Sequence, residues 1–197
     1  ATPGASNVGG VAAPEINVQG QSMYIVDGDT TPQTADDTDF GSVYTTSGSD
    51  VHIFTVQNTG TANLTLSSIG LSGANSGDFA IGGFTNNTVV AAGLSTTFTV
   101  TFDPSADGLR TAPDTVNSDD ADEAAYDFAV QGTGVSVPGF MVSPTTTTVT
   151  EAGSASTFTV VLDSQPTDNV VITIDNPGNG DEVNASATSL TFTNADW

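Results

Sequence analysis

The sequence predicts an all-β protein in which two β-sandwiches follow one another along the chain. Three observations favour this class: 21 Gly and 9 Pro interrupt the chain, no window keeps a 3.6-residue apolar period, and many short segments alternate apolar with polar residues. Because this alternation places apolar side chains on one face of a strand, a second sheet must cover that face. At 197 residues the chain is long enough for two domains of ordinary size.

The chain is strongly acidic. It has 23 acidic residues against one Arg and no Lys, for a formal net charge of -22. Such a surface repels phosphate backbones and anionic lipids, so we expect neither nucleic-acid binding nor attachment to a membrane, and cations become the expected partners. With no Cys there is no disulfide or thiolate metal site, and no apolar run reaches the ~20 residues of a spanning helix.

The first residues, 1–13, are small, Gly-rich and uncharged, and they predict a flexible lead-in. They contain no basic stretch followed by an apolar one, so they are not an intact signal peptide, although they fit what remains after one is removed. Short strands at 15–18 and 23–26 follow. The next segment, 26–41, contains five Asp within thirteen positions and predicts a loop.

The segment 51–71, VHIFTVQNTGTANLTLSSIGL, is expected to organise the first sandwich. Its two arms are rich in β-branched and aromatic residues, and Asn58-Thr59-Gly60 lies between them, so it predicts a hairpin. Phe54 and Val56 share one face of the first arm, and Leu64 and Leu66 share one face of the second. Because an isolated hairpin is marginal in water, a second sheet is required.

Further strands are predicted at 78–81, 88–90, 95–102 and 126–131, with a weaker one at 109–116. Pro113 in the weaker strand removes a backbone donor, which indicates an edge position or a bulge. A second acidic loop is predicted at 117–123, and the Gly132-Thr133-Gly134 run is expected to end the domain. Seven to nine strands at intervals of ~8 to 12 residues are typical of an immunoglobulin-like sandwich.

The first domain, 14–134, resembles the bacterial choice-of-anchor D module, a relative of the Hydin-type immunoglobulin-like domains. The resemblance rests on six ordered motifs over about 120 residues: PEINVQG from Pro14, DGDTTPQTADDTDFGSV from Asp27, FTVQNTGTANLTLSSIGLSG from Phe54, FTVTFDPSADGLRTA from Phe98, DDADE from Asp119 and YDFAVQGTG from Tyr126. The sequence departs from that family at Pro113-Asp114, where an uninterrupted strand is usual.

After a linker at 135–139, the second domain, 140–197, resembles the Calx-beta-like repeats of large bacterial surface proteins. The matching pieces are Glu151-Ala-Gly, STFTVVL, SQP, a Val/Ile strand and SLTFTNADW. Modules of that type continue with two further strands, so an incomplete sandwich with an open edge is expected. Either the chain is a piece of a longer polypeptide, or a strand from another subunit completes the fold by β-augmentation, as in donor-strand assembly.

The first acidic loop is the leading candidate for a metal site. Recurring carboxylates at short spacing can wrap a hard cation such as Ca²⁺, although the order of ligands is not that of an EF-hand. The alternative is a solvated turn in which Asp serves backbone geometry. The candidate ligands are Asp27, Asp29, Asp36, Asp37 and Asp39, and the second acidic loop offers Asp119, Asp120, Asp122 and Glu123 in the same way.

The resemblance to Calx-beta modules also implies a Ca²⁺ site in the second domain. Glu151 matches their early Glu, and Asp175, Asp181 and Glu182 lie in the loop that would approach it. The N-glycosylation sequon occurs at Asn63, Asn86 and Asn184. Arg110 and His52 are predicted to be structural, Arg110 as the anchor of a loop and His52 as a strand residue.

The function predicted from the sequence is that of a non-enzymatic structural or adhesive module, secreted or on a cell surface. We expect a subunit of a filament, or a multi-domain surface protein, in which strand exchange makes a homo-oligomer. The alternative is a Ca²⁺-dependent module that binds a glycan or another surface ligand. No paired His, thiol, Lys or phosphate-binding Gly-rich loop supports catalysis.

Overall fold

A computed structural model describes residues 10–46, 48–148, 150, 152–175 and 185–197. It confirms the all-β prediction, since strands with two short 3₁₀ turns account for the regular structure of the described residues. The chain divides into two compact units, unit 1 ending at Val135 and unit 2 beginning at Ser136. No helical segment within the described ranges has the length and hydrophobicity needed to cross a lipid bilayer.

Unit 1 is a sandwich of two five-stranded sheets. Its strands are β1 (Ile16–Gly20), β2 (Met23–Ile25), β3 (Asp39–Tyr44), β4 (Asp50–Asn58), β5 (Leu64–Leu71), β6 (Phe79–Gly82), β7 (Thr88–Val90), β8 (Ser95–Phe102), β9 (Gly108–Ser118) and β10 (Ala125–Val135). One sheet has the order β2-β1-β4-β8-β6 and the other β3-β10-β9-β5-β7. All strand pairs are antiparallel except β3 with β10, which is parallel.

The core of unit 1 lies between the two sheets and follows from the two-residue period. On β8, Phe98, Val100 and Phe102 are buried while the intervening Thr residues face outward. Phe54 on β4 contacts both Phe98 and Phe128, with ring centroids 5.5 Å apart in each case. The first contact lies within one sheet, and the contact with Phe128 on β10 joins the two sheets through one apolar layer.

The predicted hairpin at 51–71 is wrong, because its two arms lie in different sheets. β4 pairs with β1 and β8, whereas β5 pairs with β7 and β9. The backbone N–H groups of the connection bind the N-terminal segment and do not close a hairpin turn. The Thr59 N–H donates to Glu15 O at 2.8 Å, and the Thr61 N–H donates to Ala13 O at 2.8 Å. The apolar faces of the two arms therefore both face the core, each from a different sheet.

The expected edge position of the strand that contains Pro113 is also wrong. β9 is an interior strand between β10 and β5. Pro113 is tolerated because the β5 pairing ends next to it, at Leu71 opposite Asp114, so no ladder on that side needs its missing N–H. The Pro113 carbonyl still accepts a hydrogen bond from the Ser72 N–H at 2.9 Å.

The glycine run 132–134 lies inside β10, one residue before unit 1 ends at Val135. A Cβ atom at residue 132 would lie 2.3 Å from Phe102 Cε1. A Cβ at residue 134 would lie 2.2 Å from Ala106 O. Glycine is needed here because of close packing, not because of a turn.

Unit 2 contains two separate two-stranded ladders. Its strands are β11 (Phe140–Ser143), β12 (Thr159–Leu162), β13 (Val170–Thr173) and β14 (Ser189–Phe192), paired β11 with β12 and β13 with β14. Both pairs are antiparallel. Each strand therefore has one neighbour within the described part of the unit.

Candidate functional site

In the first acidic loop, the five Asp carboxylates mainly accept hydrogen bonds from nearby backbone and side-chain groups. Asp29 Oδ1 accepts the Thr31 N–H at 2.8 Å, and Asp39 Oδ1 accepts the Gly41 N–H at 2.8 Å. Asp36 is buried and accepts the Thr38 N–H and hydroxyl, while Asp37 contacts Gln21. In the described part of the chain, no three of these five side chains form a group that could hold a metal ion.

The carboxylates that do come together belong to two distant parts of the sequence. Glu15 immediately precedes β1, and Asp120 and Asp122 lie in the connection between β9 and β10. One oxygen atom from each of the three lies within 4.8 Å of the others. Asp120 is only 2% exposed, and its Oδ2 accepts the Ile16 N–H at 2.9 Å. We call Glu15, Asp120 and Asp122 the three-carboxylate cluster.

Among the described residues, the negative charges of this region have no positive charge near them. Burial raises the pKa of Glu15, and repulsion from Asp120 and Asp122 adds to the rise. Burial also raises the pKa of Asp120, against the lowering effect of the Ile16 N–H. The pKa of Glu123 is raised to about 7 by burial and by the charges of Glu15, Asp120, Asp27 and Asp122. Desolvation and like charges act in the same direction here.

Asp27 is the member of the predicted loop site that approaches this region. Its Oδ1 accepts the Asp127 N–H at 2.7 Å. Its charge is one of those that raise the pKa of Glu123. The sequence predicted ligands within single loops, so it missed Glu15, which is brought to Asp120 by the pairing of β1 in the sheet.

The remaining predicted sites are scattered. Asp175 is exposed just beyond β13, and Asn63 and Asn86 are exposed in connections of unit 1. Glu151, Asp181 and Asn184 lie outside the described residues. The Ca²⁺ site implied for the second domain therefore stays a prediction.

Arg110 and His52, which the sequence predicts to be structural, both make close contacts. Arg110 Nε donates to Asp78 Oδ2 at 2.5 Å, and Asp78 is 4% exposed. Burial by itself would raise the pKa of Asp78, but hydrogen bonds from Ser105 and Arg110 outweigh it and leave that pKa below its ordinary value. His52 stacks on Phe40 with ring centroids 4.0 Å apart, and its Nδ1 lies 2.7 Å from Asp37 O.

Another buried carboxylate was not singled out from the sequence. Asp114 lies between Ala112 and Val116 on the inward face of β9 and has no exposed surface. Neither of its carboxylate oxygens has a hydrogen-bond partner among the described residues. Burial raises its pKa to about 7, repulsion from Asp127 adds to the rise, and the nearby Thr115 N–H offsets part of it. The signal in the sequence was an acidic residue at an inward position of an alternating strand.

Unit 2 has two apolar surfaces, one on each of its ladders. The register places Phe140, Val142, Val160 and Leu162 on one face of the first ladder. In the same way, Val170, Ile172, Leu190 and Phe192 share one face of the second ladder. Among the described residues of this unit, Leu162 is the one buried apolar side chain. We call these two sets the apolar ladder faces.

The chain is an all-β protein whose first unit is a β-sandwich. No protein-family model matches it, and no curated protein sequence matches it. Among solved structures it is similar to a protein of unknown function from Porphyromonas gingivalis W83, with 14% identity over 64% of this chain and 51% of that one and a TM-score of 0.45. It is also similar to the secreted serine protease VesC from Vibrio cholerae, with 21% identity over 49% of this chain and 21% of that one and a TM-score of 0.40.

A third similar structure is the ASH / PapD-like domain of human CEP192 (PapD-like domain 7). The identity is 12%, the match covers 70% of this chain and 97% of that one, and the TM-score is 0.38. The chain spans about half the length of the Porphyromonas protein and about a fifth of VesC. At these identities the likeness concerns the β-sandwich fold alone, and the resemblance to choice-of-anchor D and Calx-beta modules stays a prediction.

Proposed function

We propose that this chain is a structural, non-enzymatic module of a secreted or cell-surface assembly, in which a β-strand from a neighbouring subunit completes unit 2. The observation that carries the proposal is the pair of apolar ladder faces, which unit 2 leaves without a buried core of its own among the described residues.

The energetics of unit 2 favour such a completion. A two-stranded ladder by itself is at best marginally stable in water, and each strand has one unpaired edge within the described residues. Large apolar side chains remain in solvent: Phe140 is 54% exposed and Phe158 is 42% exposed. A strand added to an edge would supply main-chain hydrogen bonds and side chains for the apolar ladder faces at the same time.

The chemistry of unit 1 supports a structural role over a catalytic one. His52, the one His of the chain, is held by stacking on Phe40 and by its contact with the Asp37 carbonyl, so it is not poised against a nucleophile. The chain has no Cys and no Lys, which removes thiol and amine nucleophiles. The surface charge opposes binding to nucleic acid and anionic lipid, and it favours solubility in an extracellular setting.

The test uses two adjacent positions on β13 that face opposite ways. Ile172 belongs to an apolar ladder face, whereas Val171 is 60% exposed on the other side of the same strand. We compare the chain with the variants Ile172→Asp and Val171→Asp by light scattering over a concentration series and by negative-stain imaging. The two variants carry the same added charge in the same strand.

The proposal predicts polymers of uniform repeat for the wild-type chain and for Val171→Asp, and loss of polymers for Ile172→Asp, because a charge on the apolar ladder face opposes its burial. Monodisperse wild-type particles at every concentration would contradict strand exchange and would favour a Ca²⁺-dependent binding module. Equal loss of assembly in both variants would show that the apolar ladder face is not the contact.

A further inference from the structure

The three-carboxylate cluster joins the beginning of unit 1 to one of its distant loops. Glu15 is the residue before β1, while Asp120 and Asp122 are more than a hundred residues further along the chain. Their oxygens approach within 4.8 Å because the Ile16 N–H donates to Asp120 Oδ2 and fixes the start of β1 against this loop. The grouping is therefore produced by the fold and not by local sequence.

The environment of Glu15 is the independent observation that points to a ligand. Glu15 Oε1 is a buried atom, and among the described residues it has no hydrogen-bond partner. The adjoining Asp120 side chain is almost wholly buried. An ionised carboxylate oxygen that is removed from water without a donor costs free energy, and a bound cation would remove that cost.

The protein itself offers no described counter-charge for this cluster. Arg110 is the one Arg of a chain without Lys, and it pairs with Asp78. His52 lies beside Asp37 and Asp50. Asp27 and Glu123 add further negative charge close to the cluster. A cation from solution would supply the positive charge that the described residues do not provide.

We propose that Glu15, Asp120 and Asp122 bind one Ca²⁺ ion, which ties the start of β1 to the β9–β10 connection. All three offered ligands are oxygen, the type that hard cations prefer. Two oxygens that share a Ca²⁺ ion at 2.3–2.6 Å lie at most roughly 5 Å apart, which agrees with the observed grouping. Mg²⁺ demands shorter distances and a near-ideal octahedron, whereas Ca²⁺ accepts longer distances and flexible geometry, so this set of carboxylates favours Ca²⁺. The site is independent of the strand exchange proposed for unit 2.

The test measures thermal unfolding of the full chain and calorimetric binding with CaCl₂ alone, against EDTA, against MgCl₂ and against NaCl at matched ionic strength. The variants are Glu15→Gln and Asp122→Asn, which keep the shape of the side chain and remove one charge. Asp103→Asn, in an exposed loop of unit 1, makes the same change of charge away from the cluster and is the control. Neither cluster variant alters the Asp120 contact with Ile16.

The expected result is a crossover in stability. In EDTA both cluster variants unfold at the same temperature as the wild type or higher, because a like-charge repulsion is relieved. In CaCl₂ the wild type and Asp103→Asn gain several degrees, while the cluster variants gain little and bind Ca²⁺ at least tenfold more weakly. No calorimetric binding by the wild type, an equal gain in MgCl₂ or NaCl, or an equal Ca²⁺ response in all variants would overturn the proposal.

Discussion

Asp114 is unusual because its carboxyl group is buried in the core without a hydrogen-bond partner among the described residues. It occupies a core position on β9, opposite Phe128 on β10 and Leu71 on β5. The charged groups of those strands do not neutralise it, since β5 has no charged residue and Asp127 on β10 is another acid. A buried carboxyl without a partner is stable only in its neutral form.

This placement predicts a specific dependence of stability on pH. The pKa of Asp114 is about 7 in the folded chain against an ordinary 3.8. The folded state therefore holds the proton more tightly, and the free energy of unfolding falls as the pH rises from about 4 to about 7. Between pH 5 and pH 8 the loss from this one group is roughly 2–3 kcal/mol.

The measurement is urea unfolding of unit 1 in the full chain at pH 5 and pH 8, for the wild type and for Asp114→Asn. The other carboxylates titrate in both proteins, so subtraction isolates residue 114. We expect the wild type to lose about 2–3 kcal/mol more than the variant over this interval. An identical pH dependence in both proteins would mean that Asp114 is already ionised or solvated.

At the scale of the strand, the backbone of β10 packs closely against a side chain from the opposite sheet. Gly132 lies on β10, and Phe102 from β8 of the other sheet occupies the volume that a Cβ atom would need. The nearest ring atoms would lie 2.3, 2.6 and 2.8 Å from that Cβ. Because both Phe102 and β10 are buried, neither can move aside without disturbing the core.

We predict that Gly132→Ala lowers the free energy of unfolding by about 1–3 kcal/mol, since it overpacks the core. Gly70→Ala is the matched control, because Gly70 lies within β5 and a Cβ there would meet nothing within 4 Å. The control should be neutral or slightly stabilising, by up to about 1 kcal/mol, as Ala restricts the unfolded chain. Equal effects of the two substitutions in urea unfolding would show that the contact with Phe102 does not set the cost.

The sequence was informative about strands and less so about their partners. The alternation of Phe98, Val100 and Phe102 predicted β8, and the observed strand has the expected bounds. The pairing of β4 with β5 was predicted wrongly, because two amphipathic arms joined by a Gly-containing turn suit either a hairpin or a crossing between sheets. The hydrogen bonds from Thr59 and Thr61 to the N-terminal segment decide between these, and no local pattern encodes them.

For the candidate site too, the sequence predicted local features better than contacts between distant segments. Clusters of Asp within one loop are visible in a sequence, and in the first acidic loop these residues hold turns together. The approach of Glu15 to Asp120 depends on sheet topology, so the sequence supplied the acidic loop at 117–123 but not its third carboxylate. Asp114 was overlooked because its inward position is defined by pairing with β10.

At the scale of the whole molecule, the two units differ in how completely they bury apolar surface. Unit 1 has a continuous core from Ile16 to Val130, and β4, β8, β9 and β10 each pair with strands on both sides. Unit 2 contains ladders with one partner per strand, and its apolar ladder faces remain partly in solvent. Because of this difference, unit 2 and not unit 1 is the part that a neighbouring strand would complete.

Hydrogen exchange of the backbone amides tests that difference most directly. It is measured on the wild-type chain at a concentration where light scattering finds monomers, so that no neighbouring strand is present. We predict slow exchange, limited by global unfolding, in β4, β8, β9 and β10, and exchange at least a hundredfold faster in β11, β12, β13 and β14. Protection of the unit 2 strands in the monomer equal to that of β8 would show a self-sufficient fold and contradict completion by a neighbouring strand.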